Sequence, residues 1–126
     1  MKRMPCYAQV IIQFATVTEI DRPFTYEVAP EISSRIQVGQ RVKVPFGKYN
    51  HLQLGYVIKL MDHIEASSYR IKKVQVLIDE EPILDQKQLE LVDFIANYYA
   101  TSYAAAIDVV LPPGLKEEPM VLEEVS

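Results

Sequence analysis

The stretch RVKVPFGKYNHLQLGYV, residues 41–57, joins two β-type runs through a polar turn. The first run alternates basic side chains with valines, which is the pattern of a strand with one buried face. Pro45 is expected to end the ladder pairing of that run or to mark an edge of the sheet, because proline donates no ladder hydrogen bond. A second β-type run covers residues 54–60. Gly55, inside the second run, is expected to mark a bulge or a close backbone approach. Together the two runs predict a β-hairpin with a basic tip.

Three other segments have β patterns, at residues 7–14, 24–28 and 71–78. The second of these alternates strictly, so that its two aromatic residues and its valine share one face. Residues 16–22 are polar and predict a turn. Five short strands punctuated by turns predict a small, curled antiparallel β-barrel similar to the OB fold.

The periodicity becomes helical in the last third of the chain. Asp85 predicts a helix N-cap, with Gln88 completing a capping box, and apolar side chains recur at helical spacing as far as Tyr99. Ser102 predicts the cap of a second helix, which the LPPG sequence at 111–114 ends. The predicted fold class is therefore α+β, a barrel followed by one longer and one short helix.

These patterns divide the chain into a β-barrel part at residues 1–80, a helical part of the same domain at 81–115, and a linker at 116–126. The linker prediction depends on an acidic sequence interrupted by proline. Three tyrosines of the helical part are interpreted as helix-to-barrel packing rather than as a base-stacking platform: Tyr98, Tyr99 and Tyr103.

The chain of 126 residues has a net charge of −4, but the charge is distributed unevenly. Residues 1–34 have a net charge of −1. Residues 35–73 carry eight basic and two acidic side chains, a net charge of +6, and residues 74–126 have a net charge of −9. The basic middle third predicts a surface that faces a polyanion. The alternative is that its lysines only solvate an exposed β-surface.

Motifs for catalysis and cofactor binding are missing from the sequence. There is no GxxxxGK[ST] phosphate loop, no Ser or Cys in a nucleophile motif, and no ligand spacing around His51 and His63. Cys6 is the only cysteine, so neither an internal disulfide nor a cysteine-based zinc site can form. No apolar run is long enough to span a membrane, and a cytoplasmic location is expected. We predict a binding module without enzymatic activity, cofactor or metal.

Four blocks of the sequence resemble the N-terminal region of the PriA family, the bacterial primosomal replication-restart helicases. The resemblance runs from about Tyr7 to Leu115, and the blocks occur in the same order and spacing. They are DRPFTYEVAP, VGQRVKVPFGKYNHLQLGYVIKL, IKKVQVLIDEEPIL and IANYYATSYAAAIDVVLPPGL. The VPFG and YY…LPPG blocks together make the resemblance fairly specific.

The resemblance implies a DNA-binding domain that holds the 3′ end of the nascent leading strand at a stalled replication fork. It also implies that ATP and zinc belong to other parts of a longer helicase, with winged-helix and helicase regions absent from this chain. Forked or single-stranded DNA with a free 3′ end is the implied ligand. Other primosome proteins and the single-stranded-DNA-binding protein are implied partners of the longer protein. The residues that match the family's 3′-end site are Phe24, Thr25, Tyr26, Gly47 and Lys72.

The resemblance implies that Lys72 supplies the positive charge of the 3′-end site. Periodicity alone cannot choose between Lys72 and Lys73. Many members of the family carry Asp at the position of Thr25, and a hydroxyl cannot make the charge-assisted hydrogen bond that a carboxylate makes. We expect further contacts with the DNA backbone from three basic residues of the hairpin: Arg41, Lys43 and Lys48. The alternative function is a protein-interaction barrel that docks a primosome component or the single-stranded-DNA-binding protein.

Overall fold

The computed structural model describes residues 5–13, 22–64 and 70–111. The predicted linker and most of the predicted turn at 16–22 lie outside these ranges. Within them the chain forms six strands and three helices. In chain order these are β1 (Tyr7–Ile12), β2 (Phe24–Glu27), α1 (Pro30–Ser33), β3 (Arg41–Phe46), β4 (His51–Met61), β5 (Lys72–Lys73), β6 (Val76–Leu77), α2 (Gln86–Tyr98) and α3 (Tyr103–Val110).

The six strands form one curled sheet in the order β5-β2-β1-β4-β3-β6. The eleven-residue β4 organises it, because its first half pairs with β3 and its second half pairs with β1. These pairs, and the pair of β1 with β2, are antiparallel. The predicted fold class is confirmed: a curled, OB-like sheet followed by one longer and one short helix.

The predicted fifth strand is divided into two short strands that pair with opposite edges of the sheet. β5 lies beside β2, and β6 lies beside β3. Between them, the Val74 amide donates to the carbonyl of Glu27 at 3.0 Å and the Gln75 amide donates to the carbonyl of Lys43 at 2.9 Å. Residues 72–77, which we call the closing segment, therefore connect the two edges. The β2–β5 pair is parallel, so the sheet is not antiparallel throughout as the strand pattern predicted.

The interior of the sheet contains fully buried β-branched side chains, including Val10, Val42 and Val57. Gly55 approaches β1 closely, since a Cβ atom at this position would lie 2.3 Å from Cγ1 of Val10. The β1–β4 register shifts between Gln9 and Val10. The predicted close approach at Gly55 is thus confirmed, and the irregularity beside it helps the sheet to curl.

The two C-terminal helices begin where their caps predict. The Asp85 carboxylate accepts from the Gln88 amide at 2.8 Å, and the Gln88 side chain accepts from the Asp85 amide at 2.9 Å, which completes the capping box. The Ser102 hydroxyl accepts from the Ala105 amide at 3.0 Å. The helices contact each other, and α3 also contacts β1. None of the helices described is long and apolar enough to cross a membrane.

A backbone clamp at Gly39 attaches the helical part to the sheet. Its amide donates to the carbonyl of Val57 at 2.8 Å, and its carbonyl accepts from the amides of Ile83 and Leu84 at 3.0 and 3.3 Å. Gly39 has a φ of +98°, and a Cβ atom there would lie only 2.0 Å from the Leu84 carbonyl oxygen. The position therefore requires glycine both for its backbone conformation and for space.

We predict that Gly39→Ala lowers the free energy of unfolding by about 3 to 5 kcal/mol, because overpacking adds to the cost of a positive φ. Gly47→Ala is the matched control. Gly47 also has a positive φ, +80°, but a Cβ atom there would meet nothing within 4 Å. Its cost should be limited to about 1 to 2 kcal/mol. Urea unfolding followed by circular dichroism measures both values, and equal losses would contradict the clamp.

Candidate functional site

Two aromatic side chains of β2 point to the inner face of the sheet and contact the end of β3. The Tyr26 hydroxyl donates to the carbonyl of Pro45 at 2.9 Å. The ring of Phe24 meets the ring of Phe46 edge to face, with 5.0 Å between the ring centroids. Pro45 and Phe46 directly precede the hairpin turn, so β2 supports the base of that turn.

Tyr26 is a packing residue rather than an exposed base-stacking surface. Only 3% of it is exposed, and burial raises its pKa to about 12. The phenol is therefore neutral at physiological pH and is used to position Pro45. Phe24 is only half-buried. Of the two aromatic residues predicted in β2, Phe24 is the one with surface available to a ligand.

Lys72 reaches the hairpin turn from the closing segment. It lies opposite Tyr26 in the parallel β2–β5 pair, and its ammonium donates to the carbonyl of Gly47 at 2.9 Å. An ammonium group has three donors, so this contact leaves capacity for a ligand oxygen. Lys73 points to the opposite face and lies 3.4 Å from the Glu27 carboxylate. The structure thus places Lys72, not Lys73, with Gly47.

Gly47 begins the turn in a left-handed conformation, with a φ of +80°. Because a Cβ atom built there would meet nothing within 4 Å, the space in front of its Cα is open. A ligand can therefore approach this stretch of backbone closely. We call the group formed here the edge site: Phe24, Tyr26, Phe46, Gly47 and Lys72.

Arg22 adds a second cation beside the edge site, which the sequence analysis did not identify. Its guanidinium carbon lies 5.0 Å from the centroid of the Phe24 ring, within the range of a cation–π contact. The available signal was the position of Arg22 two residues before Phe24, because side chains two residues apart in an extended chain lie on one face.

The side chains of the remaining predicted residues make no contact with this group that the described part of the structure shows. By strand alternation, Thr25 points to the face opposite Phe24 and Tyr26, and Lys43 points to the face opposite Phe46. Both are half-buried. Lys48 is exposed at the hairpin tip, with its ammonium 5.6 Å from the centroid of the Tyr49 ring.

Arg41 does not fit the predicted role of a DNA-backbone contact, because its side chain is buried and paired with Asp79. Its Nε and one terminal nitrogen donate to the two carboxylate oxygens at 2.9 and 2.7 Å, and its backbone amide donates to the same carboxylate at 2.9 Å. The hydrogen bonds to Asp79 raise the pKa of Arg41 above its ordinary value. The alternating pattern of β3 indicates an outward residue but cannot show that Asp79 covers it.

The interpretation of the three helical tyrosines as helix-to-barrel packing residues is wrong for two of them. Tyr98 and Tyr99 are 69% and 67% exposed, so they do not pack onto the barrel. Tyr98 instead stacks on Phe94, which is also exposed, with 5.3 Å between the ring centroids. Tyr103 does pack against the core, and its hydroxyl donates to Asp93 at 2.9 Å.

A surface depression of about 520 Å³ lies at the end of β4 and contains no predicted site residue. Its lining is Pro5, Leu60, Met61, Asp62 and His63. The edge site is identified by its contacts and exposed groups.

The chain is similar to known proteins over most of its length. Residues 9–112 match the model of a protein family described as "3′DNA-binding domain (3′BD)" of PriA. The chain is also similar to the replication restart protein PriA of Bacillus subtilis (strain 168), with 31% identity over 110 residues. The alignment covers 87% of this chain but only 13% of the Bacillus protein.

We predict that Arg41→Ala lowers the free energy of unfolding by about 3 to 5 kcal/mol, because it leaves the Asp79 carboxylate without its partner in a largely buried position. Lys48→Ala removes an exposed cation from the same hairpin and should cost about 0.5 kcal/mol or less. Urea unfolding measures both. Equal stability of the two variants would show that the ion pair does not hold Asp79 and the closing segment.

Proposed function

Because the chain belongs to the PriA 3′DNA-binding domain (3′BD) family, we propose that its edge site binds the 3′ end of a DNA strand. The observation that carries this proposal is the contact between Lys72 and Gly47 beside Phe24. It brings a cation, an unobstructed stretch of backbone and a partly exposed aromatic ring to one rim of the sheet. These are the groups that sequence-independent binding of a strand end requires.

Each group has a separate task in this proposal. The Phe24 ring contacts the terminal base or sugar, since any base has a π-face and stacking contributes about 1–3 kcal/mol per base. Lys72 and Arg22 attract the phosphates, which makes the affinity depend on salt. The backbone at Gly47 closes around the terminal hydroxyl. An internal nucleotide carries a phosphate at that position and is excluded by its size and charge.

Thr25 has a modified role in this account. Its hydroxyl lies on the face opposite Phe24, so we propose that the backbone of β2, rather than the side chain, offers hydrogen bonds to the terminal sugar. The pairing of β2 with β5 covers only Tyr26 and Glu27, and Thr25 lies just beyond it. A hydroxyl here in place of a carboxylate also removes a negative charge from the neighbourhood of the DNA.

The wider role concerns a longer protein, since the chain spans about 13% of the length of the Bacillus relative. We propose that this domain orients a replication-restart helicase on arrested forks, in the cytoplasm, by holding the 3′ end of the nascent leading strand. In this proposal ATP hydrolysis and zinc binding belong to sequence outside the matched part.

A second candidate function is supported by the exposed aromatic residues of α2. Phe94, Tyr98 and Tyr99 form a surface cluster whose neighbours on the helix include Glu90 and Asp93. Carboxylates repel the DNA backbone, so this cluster suits a polypeptide with basic and apolar side chains rather than a nucleic acid. We propose that α2 docks a protein surface of that kind while the edge site holds DNA.

End recognition predicts that a single strand with a 3′-hydroxyl binds at least about tenfold more tightly than the same strand with a 3′-phosphate, a difference of about 1.4 kcal/mol. The reason is that the phosphate meets the backbone at Gly47. Fluorescence anisotropy of an oligonucleotide labelled at its 5′ end measures both affinities. Equal affinities would remove end recognition, although general DNA binding could remain.

Lys72→Ala should weaken oligonucleotide binding and lower the slope of log K against log salt concentration by about one, because one phosphate contact is lost. Lys73→Ala is the matched control, since Lys73 neighbours Lys72 but faces Glu27. It should leave the slope unchanged. An unchanged slope for Lys72→Ala would mean that Lys72 makes no phosphate contact.

The double variant Phe94→Ser/Tyr98→Ser tests whether the exposed aromatic residues of α2 dock protein or stack on bases. If α2 docks protein, the variant should keep its oligonucleotide affinity within about twofold, because a twofold change is only about 0.4 kcal/mol. A loss of fivefold or more in the anisotropy assay would instead identify the cluster as a base-stacking surface. Circular dichroism of the variant should match that of the unmodified chain.

A further inference from the structure

The tip of the β3–β4 hairpin presents an aromatic ring that the edge site does not use. Tyr49 is 74% exposed, the largest value among the exposed large apolar side chains of the described residues. The Lys48 ammonium lies 5.6 Å from the centroid of its ring, and the His51 ring lies edge-on with 6.3 Å between centroids. By contrast, Phe46 on the same hairpin is used in packing against Phe24.

The carbonyl oxygen of Gly47 links the backbone of this tip to the edge site. The Gly47 carbonyl accepts both the Lys72 ammonium at 2.9 Å and the Asn50 amide at 3.2 Å. Asn50 has a φ of +54°, so two left-handed residues, Gly47 and Asn50, enclose Lys48 and Tyr49. Tyr49 therefore lies only two residues after Gly47, whose backbone faces the proposed terminal nucleotide.

We propose that Tyr49 and Lys48 form a second nucleotide subsite, in which the Tyr49 ring stacks on the base immediately 5′ of the terminal nucleotide. Lys48 stays beside the ring and donates to the phosphate that joins these two nucleotides. The subsite extends the proposed function, on which it rests, from one nucleotide to two. It reads no sequence, because each base offers the same kind of π-face.

The charges of the hairpin identify the occupant as nucleic acid rather than protein. Residues 41–57 contain three basic side chains and no acidic one. The aromatic cluster of α2, in contrast, lies on a helix with two acidic side chains in its middle, Glu90 and Asp93. An exposed aromatic ring beside a cation is the arrangement that single-strand-binding surfaces use.

The experiment compares two oligonucleotides, both with a 3′-hydroxyl, of which one lacks the base immediately 5′ of the terminal nucleotide. Tyr49→Ala should bind the complete strand about 5- to 100-fold more weakly than the unmodified chain, the range expected for the loss of one stacked base. Tyr49→Phe keeps the ring and should stay within about twofold. Removal of the base should weaken the unmodified chain to a similar extent and leave the affinity of Tyr49→Ala unchanged.

A tryptophan reporter gives a direct readout, because the chain contains no tryptophan. The emission of Tyr49→Trp should fall when the complete strand is added and should change little with the abasic strand. Tyr98→Trp on α2 is the matched control and should keep its emission with both strands. Equal responses of the two variants would overturn the subsite.

Failure of the subsite can be distinguished from failure of end recognition. If Tyr49→Ala binds both strands as the unmodified chain does, while the preference for a 3′-hydroxyl over a 3′-phosphate is kept, the subsite is wrong and end recognition stands. If the unmodified chain shows no such preference, end recognition is wrong, and with it the assignment of Tyr49 to the penultimate nucleotide.

Discussion

The closing segment, residues 72–77, pairs with both edges of the sheet, and the edge site depends on this closure. Its first residue lies beside β2 and its last beside β3, so Lys72 is delivered to the turn that follows β3. Hydrogen bonds from Val74 and Gln75 fix the crossing. Directly after the segment, the Asp79 carboxylate holds Arg41 through its side chain and its backbone amide. The buried Arg41–Asp79 ion pair thus supports the geometry of the edge site without being part of it.

The aromatic residues near the hairpin divide into structural and exposed ones. Tyr26 and Phe46 use their contacts to hold β2 against the end of β3, and the neutral phenol of Tyr26 supports Pro45. Phe24, which is half-buried, and Tyr49, which is exposed, keep surface that a ligand can contact. Side chains that are already held by such contacts lose less conformational entropy when a ligand binds.

Local patterns were sufficient to predict most of the fold. The hairpin, the strand at Phe24 and the Asp85 capping box each depend on neighbouring residues, whose spacing is visible in the sequence. The crossing within residues 72–77 could not be predicted, because each of its strands has two residues and two residues have no period. The same limit applies to Arg41 and Tyr98. Alternation or helical spacing shows which face a side chain takes, but not whether another segment covers that face.

The site itself was predicted by resemblance more than by pattern. Periodicity could not choose between Lys72 and Lys73, and it could not show that Phe24 and Gly47, 23 positions apart in the sequence, meet at one rim. Arg22 was missed because its partner is a ring two residues away rather than a charge. A tertiary contact decides the cases of Lys72 and of Phe24 with Gly47, whereas the contact of Arg22 with Phe24 is local.

The central claim is that β2, the hairpin turn and the closing segment form one binding surface. Nuclear magnetic resonance of the ¹⁵N-labelled chain, titrated with a short oligonucleotide carrying a 3′-hydroxyl, tests this most directly. The account predicts that the largest amide shifts occur together at Phe24–Glu27, Gly47 and Lys72, with α2 and α3 little changed. Shifts concentrated on α2 and α3, with those three regions unaffected, would contradict it.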